Sequence, residues 1–339
     1  MSRTSPGVSV LLPVRDAEAT LPACLDSLAG QSLRDHEVVA VDDGSRDGTR
    51  ALLQGAARRD PRLRALTIPR SGLVAALNAA LGLARAPLVA RMDADDIAHP
   101  DRLARQARRL EKDARTHVLG CRVRLFGAAP GTNAGMRGYV QWLNALVDHE
   151  AIVRDLYVES PLAHPSVMMR TADLRALAGY RMFDGPEDYD LWLRAHARGM
   201  RFAKEADVLL EWRDGPDRLT RRDPRYAPER FRDLKLEALE AGPLGPGRPV
   251  VVWGAGPVGK GWARALVARG HRLAAFVEVD PRKIGRVLHG APIVPLPAAP
   301  RFTGALHLAA VGQPGARERV RAAASALGLA DGRDLVAVA

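Results

Sequence analysis

Residues 8–14, VSVLLPV, make a nearly continuous apolar run rich in valine close to the start of the chain. A run of this kind suits a strand covered on both faces, as in a parallel sheet. It is followed by a segment in which Leu21, Cys24, Leu25 and Leu28 recur at spacings of three and four, the period of a helix with one buried face. The alternation then repeats. HEVVAVDDGSRDGT (36–49) reads as a strand closed by two aspartates and a glycine turn, and RALLQGAARR (50–59) reads as a helix. LRALTI (63–68), GLVAALNAALGLARA (72–86) and PLVARM (87–92) continue as strand, helix, strand. Such a series predicts an α/β fold with a doubly wound, mostly parallel sheet.

Further on, residues 99–114 and 138–158 are expected to be helical, VLGCRVRLFG (118–127) to be a strand, and 127–137 to be a loop. A chain of 339 residues exceeds one ordinary domain, so a boundary is expected. The Gly- and Pro-rich run AGPLGPGRPV (241–250) supplies it. The expected division is a first domain over 1–241, a linker over 242–249 and a second domain over 250–339. In the second, VVVWGAGPVGKGWARAL (250–266) reads as strand, glycine turn and helix. RLAAFVEVD (272–280), 305–311 and 315–328 follow as strand, strand and helix, a small Rossmann-like unit.

In doubly wound sheets ligands sit beyond the carboxyl ends of the strands. Two acidic clusters fall there. Asp42 and Asp43 close one strand, and Asp93, Asp95 and Asp96, with His99 after them, close another. Capping of the helices that follow is one explanation, since aspartate is favoured at N-caps. The other is a hard cation such as Mn²⁺ or Mg²⁺ shared between carboxylates and a phosphate-bearing ligand, because converging like charges need something positive between them. A third cluster, Glu187, Asp188 and Asp190, lies at a predicted helix start after Pro186, where complementarity to the helix dipole also accounts for acidic residues.

Charge and cysteine usage narrow the setting. With 50 Lys+Arg against 39 Asp+Glu the net charge is +11, but no five basic residues run together and no zinc-finger spacing occurs, so nucleic acid is not expected as a partner. Cys24 and Cys121 stand far apart, which predicts neither disulfide nor cysteine–metal site and a reducing, cytoplasmic setting. The N-terminus lacks a signal-peptide core and no run of about 18 apolar residues occurs, so contact with a membrane would be peripheral, through basic residues.

Five pieces in order, VSVLLPVRDAEATLPACLDSLAGQSLRDHEVVAVDDGSRDGT, GLVAALNAALGLARAPLVARMDADD, HPSVMMR, GYR and EDYDLWLRAHARGMRF, resemble the family 2 glycosyltransferases, which have the GT-A fold. The resemblance covers about residues 7–225. It implies an inverting transfer of a sugar from a nucleotide-diphosphate donor, a UDP-sugar foremost, to a hydroxyl on a glycan or lipid-linked acceptor in polysaccharide or glycoconjugate synthesis. By that resemblance Pro13, Val14 and Arg15 line the nucleotide pocket, Asp43 meets the base, and Asp42 supports the loop, with Asn78 also on the nucleotide side. Asp93 and Asp95 match the D-x-D motif, the first near the ribose and both candidates for holding Mn²⁺ or Mg²⁺. Asp188 matches the catalytic base, with His164, Glu187, Trp212 and Arg213 as substrate-binding candidates. Arg15 stands where the family often has an aromatic residue, and a guanidinium can also stack on a planar base.

GAGPVG (254–259) fits a G-x-G-x-x-G turn between strand and helix, which makes Gly254, Gly256, Gly259 and Glu278 candidates for a second nucleotide site. That motif supports an alternative reading, an NAD(P)- or sugar-nucleotide-binding oxidoreductase or sensor. The segment is about half a dinucleotide fold and has no evident hydride-handling residue, so NAD(P) is not expected.

Overall fold

The structure is a computed structural model that describes residues 6–127, 134–215, 218–313 and 315–339. Its contacts divide the chain into two compact units. The first comprises the residues up to Ile152 together with Pro161–Pro224, and the second comprises Val153–Ser160 and Arg225–Ala339.

In the first unit the expected alternation is present: β1 (Val8–Val14), α1 (Leu21–Ala29), β2 (His36–Asp43), α2 (Thr49–Arg59), β3 (Leu63–Ile68), α3 (Leu73–Leu83) and β4 (Leu88–Arg91). Every residue of β1, β2 and β4 is buried, which explains the apolar runs at their centres. Next come β5 (Ile97–Ala98), α4 (Arg102–Lys112), β6 (Thr116–Phe126), α5 (Ala134–Ala145) and α6 (His149–Arg154). After them run β7 (Met168–Arg170), α7 (Thr171–Ala176), α8 (Glu187–Ala197), β8 (Arg201–Arg213) and α9 (Leu219–Arg222). The eight strands form one sheet in the order β3-β2-β1-β4-β7-β6-β8-β5. Strands β3, β2, β1 and β4 are parallel, β7 runs antiparallel to both its neighbours, and β5 is antiparallel to β8. The carboxyl ends of β2 and β4 therefore bring Asp43 and the 93–96 segment to the same edge.

The structure departs from the expected elements in the middle of the chain. The helix expected over 138–158 is two, α5 and α6, and it begins earlier, at Ala134. Of the loop expected over 127–137, residues 128–133 lie outside the described residues. The thirteen-residue strand β8 had no sequence expectation, because its pattern mixes buried and exposed positions without a clean period of two.

The second unit contains α10 (Pro228–Ala241), β9 (Val250–Trp253), α11 (Pro257–Ala268), β10 (Leu273–Glu278), β11 (Val287–Leu288), β12 (Ala291–Pro295), β13 (Leu306–Ala309), α12 (Ala316–Ala326) and β14 (Leu335–Ala337). Its sheet has the order β11-β12-β10-β9-β13-β14, parallel except where β11 meets β12. The division at 224/225 replaces the expected one at 241–250, and the reason is visible in the Gly- and Pro-rich run itself. Leu244 is fully buried and its N–H donates to Leu239 O at 2.8 Å. Arg248 donates to the carbonyls of Pro243, Gly304, Ala305 and Arg333. The run is a pinned turn inside the unit and not a free linker.

Segment Val153–Ser160 is held in that unit by charge. Asp155 is buried and pairs with Arg321 at 2.7 Å and Arg317 at 3.4 Å, both on α12, while the buried Lys235 of α10 donates to Val158 O at 2.6 Å. Removing Asp155 takes a charged hydrogen-bond partner from two half-buried arginines, of which Arg321 keeps Asp331 at 2.8 Å, at a cost of about 1.5–3 kcal/mol. Asp155→Ala is therefore expected to lower stability by about that amount in urea denaturation, against under about 1 kcal/mol for truncating Arg115, whose pair with Asp113 at 3.5 Å is exposed.

Candidate active site

The edge formed by β1, β2 and β4 is built from short polar connections. Asp42, fully buried, accepts the Ser45 N–H at 2.9 Å and so closes the turn after β2, with Arg50 and Thr67 at 3.4 Å. Asp43 accepts from the N–H of Ser71 at 2.5 Å and of Gly72 at 3.0–3.1 Å. The helix after the turn, α2, has Gly48 at its N-cap and no side-chain cap. The capping explanation therefore fails for that helix, and Asp43 serves instead the entry to α3. Pro13 and Val14 end β1 beside this turn, paired with Val41 and Asp42, and Arg15 contacts Asp16 at 3.4 Å. Asp16 takes φ +44°, a left-handed conformation held by Ser45 and Arg46, so the β1 and β2 loops fix one another.

At the end of β4 the carboxylates of Asp93, Asp95 and Asp96 each place an oxygen within 4.8 Å of the others. None caps α4, whose N-cap is Asp101 without a side-chain bond. Asp96, 1 % exposed, accepts the Arg213 N–H at 2.8 Å through Oδ1, while its buried Oδ2 has no hydrogen-bond partner among the described residues. Arg213 also donates Nε to Asp95 O at 2.9 Å and lies 4.4 Å over the Phe126 ring. Arg91 forms an ion pair with Asp93. Burial and then the charge of Asp93 push the Asp95 carboxyl up to about 6, and the same causes with Asp95 added push Asp96 well above the ordinary carboxyl range. Three hard oxygen donors in a pocket short of positive charge, one of them orphaned, fit a Mg²⁺- or Mn²⁺-sized cation. His99 stays out of this group, its Nδ1 accepting the Asp101 N–H at 3.2 Å.

The third cluster sits at the start of α8. Glu187 and Asp190 are buried, and Asp188 is partly exposed. Asp190 is committed to Arg181 at 2.8 Å and Arg194 at 2.7 Å, which makes it a structural anchor for the helix. Asp188 accepts its neighbour's N–H, that of Tyr189, at 2.7 Å. His164, buried, has Nε2 3.0 Å from the Tyr180 hydroxyl and Nδ1 3.6 Å from Glu187. Burial and then Arg91 depress its pKa, so it is neutral at physiological pH. Asn78 takes a different place from the one expected: its amide donates to Tyr180 O at 2.8 Å and accepts from Tyr180 N at 3.0 Å, which fixes the turn before α8. Trp212 is nearly buried in β8, with the Arg218 guanidinium 4.3 Å over its ring. The residues that sequence reasoning passed over are Arg91 and Tyr180, and for Asp96 it left capping and cation binding both open. Arg91 hides inside an apolar strand run, and Tyr180 makes sense only once Gly179–Tyr180 is known to fold against Asn78.

The glycine turn of the second unit has the backbone its motif demands. Gly254 has φ +98° with a Cβ there only 2.8 Å from Val311, and a Cβ on Gly259 would lie 1.8 Å from Gly254 O, so α11 packs directly on the turn. Gly256 faces open space. Glu278 is spent internally: it accepts from Ala255 N and Lys283 Nζ, each at 3.0 Å, and from Val279 N at 2.9 Å. Burial opposes its ionisation, yet those bonds hold its pKa below the ordinary value.

The model of the family described as Glycosyl transferase family 2 matches residues 9–175. The putative glycosyltransferase EpsE of Bacillus subtilis is 31 % identical over 229 residues, covering 66 % of this chain and 79 % of that protein. Among solved structures, residues 1–349 of S. aureus TarS in complex with UDP-GlcNAc match with a TM-score of 0.55 at 22 % identity, over 69 % of this chain and 66 % of that 1–349 chain, just under two thirds of it. The mannosyltransferase PcManGT from Pyrobaculum calidifontis, in complex with GDP-Man and Mn²⁺, matches with a TM-score of 0.52 at 22 % identity over 79 % of this chain and 80 % of that one. At these identities the structural matches establish the fold, a GT-A type α/β unit.

A raised folded-state carboxyl pKa stabilises the protein below the unfolded value near 4, and that stability is lost as pH rises through about 6. A cation on the cluster acts in the opposite direction. The melting-temperature gain from Mn²⁺ is expected to be small at pH 5 and several degrees at pH 7.5, since a ligand at 100 times its Kd adds about 2.7 kcal/mol. Differential scanning fluorimetry with Asp95→Asn, which should abolish the gain, checks it.

Proposed function

This chain belongs to glycosyl transferase family 2, and on that premise we propose that it is an inverting transferase of polysaccharide or glycoconjugate synthesis. It moves a sugar from a nucleotide-diphosphate donor to an acceptor hydroxyl. What supports the reading is the three-carboxylate group after β4 and the partly exposed Asp188 at the start of α8, with Asp93 and Asp188 both within electrostatic reach of Tyr180, in a unit of the matching fold.

Asp93 and Asp95, with Asp96 beside them, would hold Mn²⁺ or Mg²⁺. A divalent cation, when bound, supplies positive charge against the donor diphosphate as negative charge develops there. The pocket between Pro13–Arg15 and the Asp42–Asp43 turn receives the nucleotide, and the mutually locked loops keep it preformed. Asp188 takes the acceptor proton while the hydroxyl oxygen bonds to the anomeric carbon and the bond from that carbon to the diphosphate oxygen breaks. One carboxylate suffices for a single displacement with inversion. The complexes of the structural neighbours with UDP-GlcNAc and with GDP-Man and Mn²⁺ support a nucleotide-sugar donor, with UDP-sugars tested first, and a divalent cation. The acceptor is a glycan or a lipid-linked glycan, met at the cytoplasmic face of the membrane by peripheral contact; among the described residues no helix is long and apolar enough to cross one. The second unit is read as a Rossmann-like module, and because Glu278 is engaged with the turn itself, a structural or regulatory role is favoured over cofactor chemistry.

A panel of nucleotide sugars, screened with Mn²⁺ for hydrolysis and transfer, tests the proposal. Asp188→Asn should keep nucleotide binding and lose about 10²–10⁴-fold in turnover, the range for one general base. Undiminished turnover by that variant would remove Asp188 from the role.

A further inference from the structure

Arg91 is the last residue of β4 and is 5 % exposed, an arginine inside the sheet two residues before the first aspartate of the cluster. Its backbone is tied on both sides, the N–H to Val167 O at 2.9 Å and the carbonyl to Arg102 Nη2 at 2.7 Å. Its guanidinium pairs with Asp93 and lies within electrostatic reach of Glu187 and Tyr180, while its buried Nε has no hydrogen-bond acceptor among the described residues. Glu187 in turn faces His164 Nδ1 at 3.6 Å, His164 reaches the Tyr180 hydroxyl at 3.0 Å, and Asp188 follows Glu187 on the same helix turn. One fixed cation thus pairs with the first aspartate of the cluster and feels the charge of Glu187 at the start of α8.

We propose that Arg91 is a positioning residue that locks Asp93 to the Glu187–His164–Tyr180 cluster, setting the cation-side carboxylates and the base-bearing end of α8 in one geometry. The inference rests on the reading of Asp93 and Asp95 as the cation site. A guanidinium suits the task because it stays charged when buried and its rigid planar fork holds a fixed direction toward Asp93, which the flexible ammonium of lysine does not. Truncating an outer group that orients a metal ligand typically costs 10–100-fold in metal affinity or activity.

The test uses the full chain with Arg91→Lys, Glu187→Gln and the double variant. Mn²⁺ binding is measured by water-proton relaxation without substrates, and kcat and donor KM are measured separately. Arg91→Lys keeps the charge and is expected to retain its melting temperature, yet to weaken Mn²⁺ binding and kcat by about 10–100-fold with a smaller change in KM. Glu187→Gln, though no cation ligand, should weaken Mn²⁺ binding at least threefold, and the double variant should be no worse than the poorer single one. Mn²⁺ affinity and kcat within twofold of the parent in Arg91→Lys, or losses that multiply in the double variant, would overturn the lock. Should Arg91→Lys fail to fold, unchanged Mn²⁺ affinity in Glu187→Gln overturns it alone. Asp95→Asn separates the two levels: Mn²⁺ binding that survives this change sinks the cation site itself, whereas its loss beside a neutral Arg91→Lys sinks only the lock.

Discussion

Negative charge gathered at the end of β4 is the constraint around which the first unit is arranged. Three carboxylates with oxygens inside 4.8 Å cannot all ionise in a half-buried pocket without positive charge or donors close by. The fold brings such groups from distant parts of the chain. Arg91 comes from the strand itself, and the Arg213 N–H comes from the end of β8, 117 residues along from Asp96. Those groups offset only part of the charge, which is why Asp95 and Asp96 hold their protons to higher pH than free aspartates do. A site left short of positive charge in this way has a charge balance that one added cation would complete.

The same edge shows how rigidity is shared out. Asp42 and Asp43 point their oxygens into backbone N–H groups of turns, and Asn78 grips both sides of the Tyr180 peptide. None of these side chains needs to touch a ligand to matter, because each fixes the path of a loop that would line the pocket. Asp190, bracketed by two arginines, does the same for α8. Polar residues at the site therefore divide into those that hold the walls and those that face inward, and the second group is the smaller.

The parallel half of the first sheet was legible because β1, β2 and β4 are covered on both faces and so carry nearly continuous apolar runs. Strand β8 was not, since one stretch of it is buried, another exposed, and its register with β6 shifts at Cys121 and Arg122. Asp93 and Asp95 could be singled out by spacing and by likeness to a family pattern. Asp96 could not be told from a capping residue, because the choice depends on where α4 starts and on Arg213, which no local pattern connects to it. Arg91 was invisible for a simpler reason: one charged residue in an apolar strand reads as noise until its partner is seen. The Gly- and Pro-rich run misled in the opposite way, since its composition says linker while Leu244 and Arg248 nail it down.

Segment Val153–Ser160 lies early in the chain but belongs to the compact unit completed by Arg225–Ala339. During synthesis Asp155 emerges long before Arg317 and Arg321, its half-buried partners. At about 5–20 residues per second the ribosome needs roughly 8–30 s to add the intervening stretch. Over that interval the nascent chain carries Asp155 with no place to bury it, so the order of translation makes this segment wait for the last helix while the residues on either side of it belong to a unit already synthesised.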